Sequence, residues 1–232
     1  MVNTLFSISL EKNIIRLLYF TLAVLTISGC SFEKAGQMKI PQPEILTAIN
    51  KSITTLYPDR FKALHHVILT FSGKDYVLDG YLFIDRPGQE IKLIAQNDLG
   101  GILFEIHYIK NIEKMIRSNI SLLKEKWLEK SALRDLEALY LKGPFRSPEL
   151  SYDSNGNLVL SQEENQITQT LLYSKQDGST QYQLNEIRYQ ENNECFYTIH
   201  LQYDTNNPYP IFILIKDTRM KYSLQINVRY FM

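Results

Sequence analysis

One cysteine near the N-terminus stands in a context where its thiol can be chemically modified. Residues 27–30 read Ile-Ser-Gly-Cys, which is a branched apolar residue, two small residues and Cys30. This pattern is typical of the bacterial lipobox, in which the small residues fit a narrow peptidase site and the thiol is the nucleophile that takes a diacylglycerol. The peptidase then cuts before Cys30, and the new amine can take an acyl chain such as palmitate. Two or three chains give stable membrane anchoring, whereas one chain gives marginal binding.

The residues before Cys30 have the features of an export signal. Lys12 and Arg16 precede thirteen residues, 17–29, that carry no charge. A transmembrane helix needs about 20 apolar residues, whereas the apolar part of a signal peptide has about 7–15. The sequence therefore predicts a lipoprotein signal peptide over residues 1–29, in preference to an uncleaved anchor helix with a chance cysteine.

The residue that follows Cys30 bears on which membrane holds the anchor. It is Ser31 and not Asp, the residue that usually retains Gram-negative lipoproteins at the inner membrane. We therefore expect a lipid-anchored protein of the outer membrane that faces the periplasm. Removal of residues 1–29 takes away Glu11, Lys12 and Arg16 and changes the formal net charge from 0 to about −1. Without a basic excess, binding to nucleic acid is not expected.

The remaining candidates for chemistry do not form a catalytic pattern. Cys195 has no second cysteine to pair with once Cys30 is lipidated, and we interpret it as a small, partly apolar strand residue. His65 and His66 are adjacent, so they point to opposite faces of a strand and cannot share a metal ion easily. His107 and His200 are isolated on predicted strand faces.

The sequence also lacks the loops that bind nucleotides and the elbow that holds a nucleophilic serine. Four carboxylates are interpreted as solvated charges without an acid–base partner: Asp135, Glu137, Glu163 and Glu164. The sequence therefore predicts no catalytic residue, no metal ligand, no cofactor and no enzymatic activity.

The chain after Cys30 reads as a short tether and one domain. Residues 30–41 are polar and aperiodic, which predicts the lipidated N-terminus and its tether, and the domain covers 42–232. Residues 43–57 predict a helix, because apolar residues recur at intervals of four, four and three between two prolines. About four strands then follow, a helical segment over 119–141, and about six further strands.

The helical segment has two apolar faces. Leu123 and Trp127 share one face, and Leu136 and Leu139 share another that is rotated by roughly 100°. A straight α-helix would expose one of these faces, so the sequence predicts two helical pieces with a bend near residues 129–131 and Ser131 as an N-cap. The strand pattern predicts one large antiparallel sheet, whose buried face only the helices can cover.

This order of elements behind a lipobox resembles the LolA/LolB-like fold. The similarity is carried by Phe71-x-Gly73, by the passage from Asp98 to Ile106, "DLGGILFEI", and by "LRDLEALYL" in the helical segment. Within that group the chain is similar to an outer-membrane lipoprotein family often encoded with aryl-polyene lipid biosynthesis genes. The resemblance implies an α+β fold, a half-barrel sheet closed by helices, with an apolar cavity that holds acyl chains.

Aromatic residues are the candidates for such a cavity. The candidate lining residues are Phe104, Tyr108, Leu123, Trp127, Tyr222 and Tyr230. Either these side chains pack as an ordinary core, or their packing is incomplete and accepts a chain. The first alternative predicts a non-catalytic interaction or assembly lipoprotein without a ligand cavity, whose protein partner the sequence does not identify. The second predicts a lipoprotein that binds or carries a lipid, an acyl or polyene conjugate, or the acyl chain of another lipoprotein.

Overall fold

The structure, a computed structural model, describes residues 57–121, 123–141, 148–175, 182–204 and 209–231. The predicted signal peptide over 1–29, the lipidated Cys30 with its tether over 30–41, and the helix over 43–57, except its last residue, lie outside the described residues. Within the described ranges, no helix combines the length and the apolar character that a membrane span requires.

Over these described ranges, twelve strands form one antiparallel sheet. Their bounds are β1 (Arg60–Phe71), β2 (Lys74–Asp85), β3 (Glu90–Gln96), β4 (Ile102–Ile109), β5 (Glu113–Ser118), β6 (Glu149–Tyr152), β7 (Leu158–Glu164), β8 (Ile167–Lys175), β9 (Tyr182–Glu191), β10 (Glu194–Tyr203), β11 (Pro210–Asp217) and β12 (Tyr222–Phe231). The predicted single large antiparallel sheet is confirmed.

The first and last strands of the sheet meet at its centre. The spatial order is β5-β4-β3-β2-β1-β12-β11-β10-β9-β8-β7-β6, so β1 pairs with β12 and two meanders extend outward from that pair. The edge strands β5 and β6 are consecutive along the chain, and the only helix in the described part of the chain lies between them in sequence. This connection carries the helix across one face of the sheet.

The sheet has two strands more than the sequence pattern predicts, and these are its two edges. β5 has six residues and β6 has four, and each pairs on one side only. An edge strand has a neighbour on one side only. The residues of β5 and β6 are accordingly less buried, and apolar and polar residues alternate only weakly along them. The interior strands show the predicted alternation: along β12 the residues Tyr222, Ile226 and Val228 are buried and Gln225 and Asn227 are exposed.

The expected pair of bent helical pieces is wrong, because the segment forms one continuous helix, α1, over residues 125–141. It alternates α-helical turns, Glu125–Leu128 and Arg134–Leu136, with π-helical turns, Glu129–Leu133 and Glu137–Leu141. The expected N-cap at Ser131 is wrong too: it lies inside the helix, and its hydroxyl donates to the carbonyl of Trp127 at 2.8 Å.

The π-helical turns explain how one helix buries both apolar faces. A π-turn contains one residue more than an α-turn, and one residue corresponds to 100° of rotation. The turn over Glu129–Leu133 therefore rotates the later residues back by about 100°. Leu136 and Leu139 come to the side of Trp127 and Leu128, and all four side chains face the sheet.

Candidate ligand-binding cavity

A cavity of about 60 Å³ lies between α1 and the central strands of the sheet. It is walled by α1 and by strands β1–β4, β11 and β12, so both meanders contribute. Its lining residues are His65, Val67, Leu69, Leu78, Gly80, Leu93, Phe104, Leu123, Trp127, Leu128, Ser131, Ala132, Asp135, Leu136, Leu139, Ile215, Tyr222, Leu224 and Ile226. The surface that these residues present to the cavity is almost entirely carbon.

Four of the six residues that the sequence indicates line this cavity. They are Phe104, Leu123, Trp127 and Tyr222. Leu123 precedes α1, Trp127 lies in its first turn, and Tyr222 begins β12. The Trp127 ring packs against the rings of Phe71 and Tyr222, with centroids 5.1 and 5.4 Å apart. Whether these side chains contact a ligand stays a prediction.

Tyr108 and Tyr230 do not belong to the lining. The Tyr108 hydroxyl lies next to Glu137 of α1, and burial together with this carboxylate raises the pKa of Tyr108 to about 12. Tyr230 instead packs in an aromatic cluster whose Tyr140 contacts His65 of the lining. The rings of this cluster belong to Tyr57, Phe61, Tyr140, Tyr209 and Tyr230. The alternation of apolar and polar residues predicts that both tyrosines lie on the inner face of the sheet. It does not predict which part of that face α1 covers.

The polar residues of the lining are occupied by other protein groups. His65 is buried, and its Nε2 lies 3.0 Å from the Tyr140 hydroxyl. Its neighbour His66 is exposed on the opposite face and lies 2.8 Å from a carboxylate oxygen of Asp79, so the predicted opposition of the two histidines is confirmed. Burial lowers the pKa of His65 from 6.5 to about 4, so this imidazole is neutral at neutral pH.

A buried polar cluster fixes α1 to the second meander. Its members are Arg134 and Asp135 of α1, Tyr197 of β10, Asp217 of β11 and Tyr222 of β12. The guanidinium of Arg134 donates to Asp217 at 2.8 Å and to Asp135 at 2.9 Å. Both tyrosine hydroxyls donate to the Asp135 carboxylate, Tyr197 at 2.8 Å and Tyr222 at 2.6 Å. We call these five residues the helix latch.

The interpretation of Asp135 as a solvated charge is therefore wrong. Only 2% of this residue is exposed. Burial raises the pKa of the Asp135 carboxyl, and the Arg134 guanidinium and the two tyrosine hydroxyls oppose that rise. These contacts join α1 to the strands β10, β11 and β12.

The contact of α1 with the edge strand β5 is exposed. Lys114 of β5 forms an ion pair with Glu129, and both side chains are about half exposed. Such exposed pairs contribute about 0–1 kcal/mol. The helix is thus fixed firmly along the strands β10–β12 and weakly along β5.

One hydrogen-bond donor of the cavity-lining residues has no partner. The indole Nε1 of Trp127 is buried and has no hydrogen-bond partner among the residues that the structure describes. An unsatisfied buried donor costs about 1–3 kcal/mol, and such groups are rare in native proteins. The sequence gives no signal for this feature, because it depends on the burial of one atom.

An apolar residue at one end of the sheet is almost fully exposed. Leu99, in the turn between β3 and β4, is 94% exposed. The turn is ordered by hydrogen bonds: the Asn97 side-chain oxygen accepts from the backbone N–H of Leu99 at 3.1 Å and of Gly101 at 2.8 Å. Gly100 has a φ of +77°, which glycine adopts without strain. The chain therefore holds this leucine in water, a feature that sequence reasoning did not identify.

The other candidate residues do not form a reactive site. His107 is not isolated, since its ring nitrogens lie 3.0 Å from Glu90 and 3.3 Å from Glu113. His200 lies 3.6 Å from Glu186. In the ranges that the structure describes, no three histidine, cysteine, aspartate or glutamate side chains are grouped so that they could hold a metal ion.

Comparison with known proteins gives neighbours in structure only. No protein-family model and no curated protein matches the chain. A LolA superfamily protein from Nitrosomonas europaea aligns with a TM-score of 0.46 and 6% identity over 79% of this chain and 91% of its own. A putative outer membrane lipoprotein-sorting protein domain from Vibrio parahaemolyticus aligns with a TM-score of 0.46 and 12% identity, over 80% and 91%.

A DUF1329 family protein from Desulfovibrio piger aligns with a TM-score of 0.47 and 8% identity, over 79% of this chain and 91% of its own. The neighbours in structure thus include the LolA superfamily, which the sequence resemblance names. The similarity is one of fold and gives no residue-by-residue correspondence. The association with aryl-polyene genes stays a prediction.

Proposed function

We propose that this protein is a non-enzymatic lipoprotein that binds one apolar chain between α1 and the sheet, at the periplasmic face of the outer membrane. The observation that carries the proposal is the carbon-lined cavity under α1. Protein interiors contain few voids larger than a water molecule, which makes this space a candidate binding site. The candidate chains are those of a lipid, an acyl or polyene conjugate, or another lipoprotein.

The structure corresponds to the closed form in this proposal. Ligand pockets have volumes of about 300–1,000 Å³, and an engineered cavity of about 150 Å³ holds benzene. A space of about 60 Å³ does not hold an acyl chain unless α1 moves away from the sheet. Chain binding therefore requires the helix latch to open.

The energies of chain burial and latch opening are of similar size. Burial of a methylene group contributes about 0.8 kcal/mol, so a chain of twelve carbons contributes roughly 10 kcal/mol. The latch and the Tyr140–His65 contact comprise a few hydrogen bonds of about 0.5–3 kcal/mol each. A long chain can offset the loss of these contacts, whereas a short one cannot, and this predicts selectivity for long chains.

Two features support action at a lipid surface. The predicted lipid on Cys30 would hold the domain at the membrane, and Leu99 would then contact the lipid directly. Full burial of a leucine side chain contributes about 1.5–3 kcal/mol. Such a contact would position the domain without a net positive charge.

The single tryptophan of the chain gives a direct test of the proposal. Trp127 lines the cavity, so a fatty acid brominated along its chain should quench its fluorescence saturably if the chain enters. Ala132→Phe should abolish this quenching, because Ala132 lines the cavity and the new ring would fill it. Lys130→Phe adds the same ring at an exposed position of the same helix and should leave quenching unchanged. Quenching that does not saturate, or that survives in Ala132→Phe, would refute the proposal.

The second candidate function is that of a non-catalytic interaction or assembly lipoprotein without a ligand cavity. The observation that favours it is the small volume of the space under α1, about 60 Å³. In that case α1 would be a permanent part of the core. A disulfide that ties α1 to the sheet would then leave the cellular function intact, whereas it would abolish the function of a chain-binding protein.

A further inference from the structure

A polar cleft lies at the end of the sheet where β1 turns into β2 and β11 turns into β12. Its volume is about 320 Å³, which falls within the range of about 300–1,000 Å³ that is typical of ligand pockets. Every described residue of its lining is a glycine, carries a hydroxyl group or is charged. The cleft is therefore suited to a polar ligand, in contrast to the carbon-lined cavity under α1.

The cleft lies on the outer face of the sheet. Thr70 of β1 pairs with Ser223 of β12, which in turn pairs with Lys216 of β11. The preceding residues of β1 and β11, Leu69 and Ile215, line the cavity under α1 on the inner face. Because successive side chains of a strand point to opposite faces, Thr70 and Lys216 point away from that cavity. The cleft is thus a separate site, and what it binds goes beyond the proposed function.

Two lysines make the cleft positive in charge. Lys216 and Lys221 are exposed, and neither forms an ion pair with another residue of the described ranges. The third charged residue of the lining, Asp217, is already occupied: its Oδ2 accepts from Arg134 at 2.8 Å and its Oδ1 from the backbone N–H of Met220 at 2.6 Å. Even with the aspartate counted in full, the two lysines leave the lining with a net positive charge.

One further carboxylate belongs to the same row of side chains across the sheet. Asp75 of β2 pairs with Thr70, whose hydroxyl donates to it at 2.6 Å. It lies three strands away from Lys216, which corresponds to about 14 Å at the usual spacing of strands. Exposed charges at such a distance are largely screened at physiological ionic strength. Asp75 therefore does not neutralise Lys216.

A phosphate group is the ligand that matches this lining. A phosphomonoester carries a charge of about −1.5 to −2 at pH 7 and three strong acceptor oxygens. Lysine binds phosphate as a point charge, whereas arginine, whose planar fork matches flat carboxylates, is not among the described residues of the lining. The hydroxyl groups of Ser72 and Ser223 add donors that phosphate oxygens can accept.

The position of the cleft indicates the source of the phosphate. Consecutive strands from β1 to β4 alternate in direction, so the β3–β4 turn with Leu99 lies at the same end of the sheet as the β1–β2 turn. A lipid surface that Leu99 contacts, as in the proposed function, would therefore meet the cleft as well. We propose that the cleft binds the phosphomonoester head group of a membrane lipid, and that Lys216 and Lys221 contact the phosphate.

Two lipids that differ only in the phosphate group test this assignment. Phosphatidic acid carries a phosphomonoester, and diacylglycerol carries the same chains with a hydroxyl group in its place. The full-length protein is held in micelles of an uncharged detergent and titrated with each lipid, and native mass spectrometry measures the bound fraction. We expect wild-type protein to bind phosphatidic acid about tenfold more tightly than diacylglycerol, the magnitude expected from two exposed ion pairs together.

The double variant Lys216→Gln/Lys221→Gln removes both positive charges of the cleft and should bind the two lipids equally. Lys74→Gln/Lys124→Gln is the matched control, because it removes two exposed lysines that do not line the cleft, and the tenfold preference should persist in it. All four lysines are exposed, so neither variant disturbs the core. Glycerol 3-phosphate, added as a competitor, carries the phosphomonoester without the chains.

The outcomes separate this inference from the proposed function. Equal binding of the two lipids by wild type, or a preference that both double variants lose to the same extent, would overturn the cleft as a phosphate site. Displacement of phosphatidic acid by an equal concentration of glycerol 3-phosphate would overturn the lipid as the source and assign a soluble phosphate ester instead. Binding of phosphatidic acid without any binding of diacylglycerol would support the cleft and contradict the proposed function.

Discussion

Replacement of His65 by glutamine should remove a defined part of the pH dependence of stability. His65 lies in the cavity wall with its ring buried, and burial lowers its pKa from 6.5 to about 4. In the unfolded chain the same imidazole binds a proton near pH 6.5. Between these two pH values the unfolded state therefore carries one proton more than the folded state.

The sign and the size of the effect follow from this difference. Stability rises with pH wherever the unfolded state binds more protons. The contribution of His65 is fully present above pH 6.5 and is lost as the pH falls towards 4. Each pH unit corresponds to about 1.4 kcal/mol, so the folded state should lose about 3 kcal/mol through this residue over the window.

Urea denaturation at several pH values between 4 and 7.5 measures the effect. We expect the free energy of unfolding of His65→Gln to vary with pH less steeply than that of wild type, by about 1.4 kcal/mol per unit within the window. His66→Gln is the control, because His66 is exposed on the opposite face of the same strand, and its slope should equal that of wild type. An unchanged slope in His65→Gln would refute the reasoning.

Two further predictions concern the helix latch and the exposed turn. Asp135→Asn should lower the free energy of unfolding by about 1–3 kcal/mol, because it removes one of the two buried carboxylates that pair with Arg134 and leaves a tyrosine hydroxyl of the latch without its acceptor. Glu125→Gln, at an exposed acidic position of the same helix, should change it by less than about 0.5 kcal/mol; similar losses in both variants would contradict the role of the latch. Leu99→Glu should weaken the flotation of non-lipidated protein with phospholipid vesicles at least about tenfold. Ile112→Glu, at a residue that is 81% exposed at the opposite end of the sheet, should have no effect, and equal effects of the two changes would contradict membrane contact through Leu99.

The sheet was largely predictable because its signal is local. Each interior strand alternates buried and exposed residues, and the alternation places His65 inside and His66 outside. The hairpin turns carry a second local signal, as at Ser72 and Gly73, where φ is positive at both residues. The two edge strands were missed because a strand with a single neighbour has little need of a regular pattern.

The site was predictable only in part, because it depends on contacts between residues distant in sequence. Asp135 accepts hydrogen bonds from Tyr197 and Tyr222, which lie 62 and 87 positions away in the sequence. Sequence alone therefore predicts a solvated Asp135, whereas the position of α1 on the sheet buries it. A regular α-helix cannot bury both apolar faces of α1, and the π-turns that bring the two faces together have no clear sequence signal. The volume under α1 follows from packing and cannot be read from residue types.

The central claim, that an apolar chain enters between α1 and the sheet, is tested most directly by native mass spectrometry of the protein released from its own bacterial envelope. The proposal predicts one bound molecule of lipid mass per chain, and none on Ala132→Phe, in which the cavity is filled. The claim would be contradicted if the wild-type protein showed only its ligand-free mass, also after incubation with extracted envelope lipids. That result would favour a non-catalytic interaction or assembly lipoprotein.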